Sequence, residues 1–381
     1  MTPYEPYIKD LESLRASRNF RSVPPDAPAG LMDFSSNDYL GLGADPELQR
    51  HFMADTARRM IPLTSSASRL LAGRQREYDY LEHLLARLYG GGRAALLFNS
   101  GYHANTGLIS ALASRPRTMI LADKLVHASI IDGIILSKAP FERFVHNSVE
   151  RLERLLNRHH DSCDAVIVAV ESVYSMDGDR APLADLIRLK ERYPRMVLYV
   201  DEAHAFGCCG RAGLGLCHDL EEFDKVDIVV GTFGKAAASA GAFAVMAPQL
   251  RDYAVNRSRS FIFSTSLPPL NIAWTSFIVE RLASMGQRRD ALRSLAGRLN
   301  AGLKEAGLPA PEHPGHICPL IVGSAERALS LSSALAEEGL KVLPIRTPTV
   351  PPGTERLRIS LSAAINPSEV DRLVSTLRRM I

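Results

Sequence analysis

The sequence predicts an α/β protein whose larger part is a mostly parallel sheet with helices on both faces. Two observations predict it. From about Glu77 onward, helical patterns alternate with short apolar runs at Ala94–Phe98, Thr118–Ala122, Ala165–Val170, Met196–Val200 and Val226–Val230. Continuous apolar strands separated by helices are the pattern of crossover units in a sheet buried on both sides. Each run also ends in polar or small residues: Asn99-Ser100-Gly101, Asp123, Glu171-Ser172, Asp201-Glu202 and Gly231-Thr232. Open parallel sheets bind ligands at the carboxyl ends of their strands, so chemistry is expected there.

Three regions follow in chain order. Residues 1–50 read as an arm, with a short polar helix around Ile8–Phe20, a Pro/Ala/Gly-rich stretch at Pro24–Gly30, and the segment LMDFSSNDYLGLG. Residues 51–280 read as the large α/β domain. A long helical pattern from about Leu267 to Gly307, opened by Pro268-Pro269, leads into a small α/β C-terminal domain at 281–381. Its strands are expected at Ile317–Val322, Lys341–Ile345 and Leu357–Ser360. No repeat or low-complexity tract interrupts this order.

Composition narrows the classes. At 46% hydrophobic and 23% charged residues the chain is an ordinary globular one. A net charge of +3 gives no electrostatic case for nucleic-acid binding. No apolar run approaches the ~18 residues that span a bilayer, and the charged start MTPYEPYIKDLESLR lacks the apolar core of an export signal. A cytoplasmic protein with no membrane partner is expected. The odd cysteine count (Cys163, Cys208, Cys209, Cys217 and Cys318) then reads as free thiols. His204-x3-Cys208-Cys209 lacks a second pair at zinc-ribbon spacing, so no metal site is expected.

Four elements carry chemistry. Lysine is scarce, with eight in the chain, and Lys235 differs from the others because it closes VDIVVGTFGK one tight turn beyond an apolar strand. Partial desolvation there lowers an amine's pKa and suits it to Schiff-base chemistry, although a loop lysine in a salt bridge has the same pattern. In LYVDEAHAFG, Asp201 ends a buried strand, where a carboxylate caps a helix or pairs with a cation such as a protonated pyridine nitrogen. Ala203 is small enough for a flat ring to lie on, and His204 can reach the ring's phenolic oxygen. A DEAH string also occurs in helicases, but those need G-x-x-x-x-G-K-[ST], which is missing. In FNSGYHANTG a strand runs through Ser100, Gly101 and Tyr102 into a helix whose free N–H groups suit an anion. Thr232 adds a hydroxyl at the same edge. In LADKLVHAS, His127 follows a further strand, and by itself is better explained as a helix-start residue. Phosphate cradle, ring cover, ring-nitrogen partner and lysine, in that order, are what a pyridoxal-phosphate enzyme needs.

The motifs resemble the α-oxoamine synthase family of fold-type-I pyridoxal-phosphate transferases over nearly the whole chain. They are FSSNDYLGL (Phe34–Leu42), SRLLAG (Ser68–Gly73), FNSGY (Phe98–Tyr102), DKLVHAS (Asp123–Ser129), SMDGD (Ser175–Asp179), DEAHAFG (Asp201–Gly207), TFGK (Thr232–Lys235), STSLPP (Ser264–Pro269) and PTVPPGTERLRISLSAA (Pro348–Ala364). The resemblance implies a large domain with a mostly parallel seven-stranded sheet plus a small C-terminal domain. It implies pyridoxal 5'-phosphate bound covalently to Lys235, with Asp201 on the ring nitrogen, His204 and Ser175 near the phenolic oxygen, and His127 stacked on the ring. Ser100, Gly101, Tyr102 and Thr232 would hold the phosphate, joined by Ser264 or Thr265 of a second copy in a homodimer. Arg358 and Asn37 would bind the amino acid's carboxylate, with His127 beside it, and Arg21 and Thr349 would contact the substrate. The implied activity joins L-alanine to a pimeloyl thioester, carried on coenzyme A or an acyl carrier protein, with loss of carbon dioxide. Glycine with acetyl-CoA is the alternative, and a catalytically silent partner subunit is another. Thr64, Ala236–Ala238 and Ile365 depart from the family pattern and bear on the acyl entrance.

Overall fold

The computed structural model describes residues 2–23, 30–57, 59–73 and 75–381, so most of the Pro/Ala/Gly-rich stretch lies outside the described residues. The chain divides into two compact units. The larger comprises Leu40–Ser175 and Asp179–Asp290, and the smaller comprises Met1–Tyr39, Met176–Gly178 and Ala291–Ile381. The arm residues up to Tyr39 thus group with the C-terminal residues rather than standing apart. The reason is a parallel pairing of β1 (Met32–Asp33), in the arm, with β10 (Leu340–Lys341), reinforced by an ion pair between Lys341 and Asp33 at 2.9 Å.

The larger unit is built on a seven-stranded sheet of order β2-β8-β7-β6-β5-β3-β4. Its strands are β2 (Ala94–Phe98), β3 (Thr118–Asp123), β4 (Phe141–Phe144), β5 (Ala165–Glu171), β6 (Met196–Asp201), β7 (Ile228–Thr232) and β8 (Ala242–Met246). β4, β3, β5, β6 and β7 run parallel, and β8 inserts antiparallel between β2 and β7. The mostly parallel sheet expected from the apolar runs is therefore present. Leu96, Ile120, Ile167, Tyr199 and Val230 pack with Leu108, Ile130 and Phe261 from the helices in one apolar cluster. Two glycines permit close approaches that shape the site. A Cβ on Gly231 would sit 2.4 Å from the Phe243 ring, and one on Gly133 would sit 2.9 Å from the Asn105 carbonyl oxygen. The second lets helix Ala128–Ser137 lie directly on the backbone of helix Gly101–Ala113.

β4 and β8 were not among the runs expected to be strands. β4 is a four-residue edge strand with three of its residues exposed or half-buried, so it shows no apolar run. β8 does show one, but it returns directly from β7 without a helix; the link from β6 to β7 likewise holds only 3-10 turns where the alternation predicted a helix. The helix expected over Leu267–Gly307 is broken into Pro269–Val279, a 3-10 turn and Gly286–Glu305. Buried Arg289 donates to the carbonyls of Leu282 and Ala283 at 2.6 and 3.2 Å and so satisfies the turn's acceptors. The first helix spans Glu5–Ala16 rather than Ile8–Phe20, because Arg18 turns left-handed at φ 57.

The smaller unit carries a three-stranded antiparallel sheet, β11-β12-β9, from β9 (Ile317–Ile321), β11 (Leu343–Ile345) and β12 (Arg356–Ser360). The single strand expected at Lys341–Ile345 is split at Val342. Residues before it pair with β1 and residues after it pair with β12.

Candidate functional site

At the carboxyl ends of β5, β6 and β7 the larger unit encloses a cavity of about 170 Å³. Eight of the expected cofactor residues line it: Gly101, Tyr102, His127, Asp201, Ala203, His204, Thr232 and Lys235. Asn105, Ser129 and Glu171 line it as well and were not singled out from the sequence.

One end of the cavity is a helix N-terminus. Ser100 caps helix Gly101–Ala113 by accepting the His103 amide at 3.2 Å, and its hydroxyl lies 2.8 Å from His103 Nδ1. The cap leaves the first amides of the helix without intrahelical acceptors, which with the helix dipole makes a phosphate-sized anion site. A Cβ on Gly101 would lie 3.7 Å from Thr232 Cβ, so the helix start and the end of β7 meet here. The Thr232 hydroxyl donates to the Gly241 carbonyl at 3.0 Å.

The other end is a hydrogen-bonded chain in which each donor has an acceptor. The Tyr199 hydroxyl donates to Asn105 Oδ1 at 2.7 Å. Asn105 Nδ2 donates both to Asp201 Oδ2 at 2.7 Å and to Ser129 Oγ at 2.9 Å. Ser129 lies 2.8 Å from His127 Nδ1 through its hydroxyl and donates its amide to the same nitrogen at 3.2 Å. Asp201 Oδ1 accepts the Ala203 amide at 2.8 Å, so both carboxylate oxygens are engaged and the group is held rigidly at 4% exposure. Partial desolvation lowers the His127 pKa; Asp201 pulls the other way, and Lys235 adds to the lowering. His127 is thus kept as a neutral imidazole with an exposed ring, suited to covering a flat ligand. Lys235 Nζ lies 2.7 Å from His204 Nε2 at the mouth of the sheet.

Ser175 is buried in the loop after β5 but does not line the cavity. That loop is tied to β3 through His146. His146 Nδ1 reaches Asp123 Oδ1 at 2.9 Å and Nε2 reaches Asp179 Oδ2 at 2.6 Å, while Asn147 donates to Asp179 and to the Arg180 carbonyl. Burial opposes charge on His146, but the hydrogen bonds to the two carboxylates outweigh it and raise its pKa to about 10. Ser264 and Thr265 do not line the cavity of one chain; the Thr265 carbonyl accepts from Asn99 at 2.6 Å.

The expected substrate residues, His127 apart, are all in the smaller unit, as two separate pairs. Buried Arg358 on β12 donates to Ser360 Oγ at 2.7 Å, Asn37 Oδ1 at 3.2 Å and the Tyr39 hydroxyl at 3.3 Å. Exposed Arg21 donates to Thr349 Oγ1 at 3.1 Å beside a cavity of about 700 Å³ that Arg18 and Arg346 also line.

An anion site at a helix start, a paired carboxylate, a ring cover and a lysine fit pyridoxal phosphate in charge and in chemistry. The sequence matches the family model "Aminotransferase class I and II" over residues 29–377. The chain belongs to this family, its fold is that of the fold-type-I enzymes, and pyridoxal phosphate is its cofactor. Within the family it is 42% identical to the 8-amino-7-oxononanoate synthase of Chlorobaculum parvum, over 99% of both chains. It resembles the solved 8-amino-7-oxononanoate synthase of Francisella tularensis with a TM-score of 0.76 at 25% identity, covering 93% of this chain and 98% of that one. It also resembles the serine palmitoyltransferase of S. paucimobilis, solved with a bound PLP–myriocin aldimine. That likeness has a TM-score of 0.88 at 29% identity and covers 99% of this chain and 96% of the other. The α-oxoamine synthase resemblance read from the motifs is borne out.

Proposed function

We propose that the protein is the acyltransferase of biotin biosynthesis that condenses L-alanine with a pimeloyl thioester. The products are 8-amino-7-oxononanoate, carbon dioxide and the free thiol. The observation that carries this reading is the end-to-end likeness to an 8-amino-7-oxononanoate synthase in a chain that places Asp201, His204 and Lys235 around one cavity.

Pyridoxal phosphate, when bound, supplies an electron-withdrawing ring that takes up the electron pair left at the amino acid's α-carbon. Asp201 would hold the proton on the ring nitrogen, and its rigid hydrogen bonding to Asn105 and Ala203 supports that role. Gly101, Tyr102 and Thr232 would hold the phosphate, with Ser264 or Thr265 contributed by a second copy of the chain. His127 would cover the ring, and His204 would orient its phenolic oxygen. The Lys235 amine removes the α-proton and later returns one, placed for both by His204. Arg358 and Asn37 would bind the amino acid's carboxylate, for which the guanidinium fork is suited. Arg21 and Thr349 would meet the acyl chain.

Thiol release by the holoenzyme tests the reading, with alanine and glycine each paired with pimeloyl-CoA, pimeloyl-acyl carrier protein and acetyl-CoA. Alanine with a pimeloyl donor is expected to give the highest kcat/KM. A maximum with glycine and acetyl-CoA would replace this reading with that of a ligase of those two substrates.

A further inference from the structure

Glu171 ends β5 directly opposite Asp201 on the parallel strand β6. Paired residues on neighbouring strands project from the same face of the sheet, so the two carboxyl groups sit side by side at the cavity. Glu171 lines that cavity and is 2% exposed. Its Oε1 is buried without a hydrogen-bond partner. Asp201, by contrast, has both oxygens engaged by N–H donors. Two neighbouring carboxyls in a desolvated site disfavour each other's charge, which drives one of the pair toward its neutral form. Burial, followed by the charge of Asp201, drives the Glu171 pKa well above the usual carboxylate range. Lys235 and the backbone amides of His127 and Ser175 oppose that rise without reversing it. The buried hydroxyl of Tyr174 also senses the Glu171 charge.

We propose that Glu171 is a further cofactor-binding residue, acting as an uncharged carboxylic acid. Its unpartnered oxygen hydrogen-bonds the pyridoxal phosphate held by Asp201 and Lys235, and its carboxyl faces the backbone amides of His127 and Ser175. The pair Glu171–Asp201 then carries one negative charge, matching the single positive charge of a protonated ring nitrogen. A neutral neighbour leaves Asp201 alone to set that match; a second charge would over-stabilise the ring proton and compete for Lys235.

The inference rests on the pyridoxal-phosphate reading, and its test separates the two. Glu171→Gln keeps an uncharged donor and acceptor of the same size, whereas Glu171→Leu keeps the volume and removes both. Each variant is purified, stripped of cofactor, checked for a cooperative thermal transition, and titrated with pyridoxal phosphate by absorbance. Glu171→Gln is expected to bind the cofactor within about threefold of wild type, and Glu171→Leu about tenfold more weakly. The pH at which the protein-bound cofactor changes its absorption band is expected to stay unchanged in Glu171→Gln, because no charge has been removed. Wild-type affinity in Glu171→Leu overturns the proposal. So does equal loss in both variants with a shifted absorption midpoint, which would mean that a charged carboxylate is needed. Wild-type protein that takes up no pyridoxal phosphate overturns the cofactor reading and this inference with it.

Discussion

The cavity of the larger unit and the arginine pairs of the smaller one are assembled differently. In the cavity, the polar side chains come from strand ends and from the first turns of the helices that follow them, and the hydrogen bonds run unbroken from Tyr199 through Asn105 to both Asp201 and Ser129. In the smaller unit, Arg358 reaches Asn37 across 321 residues and Arg21 reaches Thr349 across 328. The first joins buried Arg358 on β12 to half-buried Asn37; the second is exposed. A sheet edge brings chemistry together by topology, so its residues are held before any ligand arrives. The arginine pairs depend on long-range packing of an arm, and their strength follows their burial. Truncations at the cavity should therefore stop the reaction, whereas those in the smaller unit should grade it.

The largest effect is expected at Lys235. Lys235→Ala should abolish turnover while the cofactor still binds non-covalently. Borohydride reduction and peptide mapping of the wild type should find the pyridoxyl group on Lys235, and a label on another lysine would break the assignment. Asp201→Asn should leave the cofactor attached but slow α-proton removal by about a thousandfold, since each ~1.4 kcal/mol of lost stabilisation is tenfold. Deuterium exchange at the alanine α-carbon measures that step directly.

Arg358→Gln should raise the KM for alanine by about a hundredfold, the cost of leaving a desolvated carboxylate without its charged partner. Its cofactor affinity should be unchanged, which sharpens the division between the two regions. Arg21→Ala, at an exposed position, should raise the KM for pimeloyl-CoA by only about fivefold and leave acetyl-CoA unaffected. An effect as large as that of Arg358→Gln would mean that burial does not rank the two pairs.

The smallest effect concerns stability. The folded-state pKa of His146, about 10, lies above the ordinary histidine value of 6.5. Its contribution is therefore complete below about pH 6.5, declines above it and is lost as pH rises through 10. Wild-type Tm should fall across that window, and His146→Gln should start lower at pH 7 and fall less steeply. Parallel slopes would remove His146 as the cause.

Much of the cavity was legible in the sequence for a local reason. Asp201, Thr232 and Lys235 lie at or just past the ends of apolar runs, and a run that is buried on both faces reveals its own end. Gly101 and Tyr102 were legible because a strand followed at once by a helix exposes free amides. Asn105 escaped because, one helical turn past Gly101, it looks like any polar residue on a helix. Glu171 ended a run that was noticed, but its role depends on which strand lies beside β5. The antiparallel place of β8 and the division of Lys341–Ile345 between two sheets were likewise invisible locally.

By itself, then, the sequence determined the apolar runs, most of the helices between them, the residue that closes each run, and hence the cofactor chemistry. These follow from periodicity and from turn and cap preferences within a few residues. The tertiary structure alone decided that Glu171 faces Asp201, that Asn105 links Asp201 to Ser129, and that Arg358 meets Asn37. Those neighbours come from strand order and helix packing, which bring together residues whose separation along the chain carries no mark of their contact.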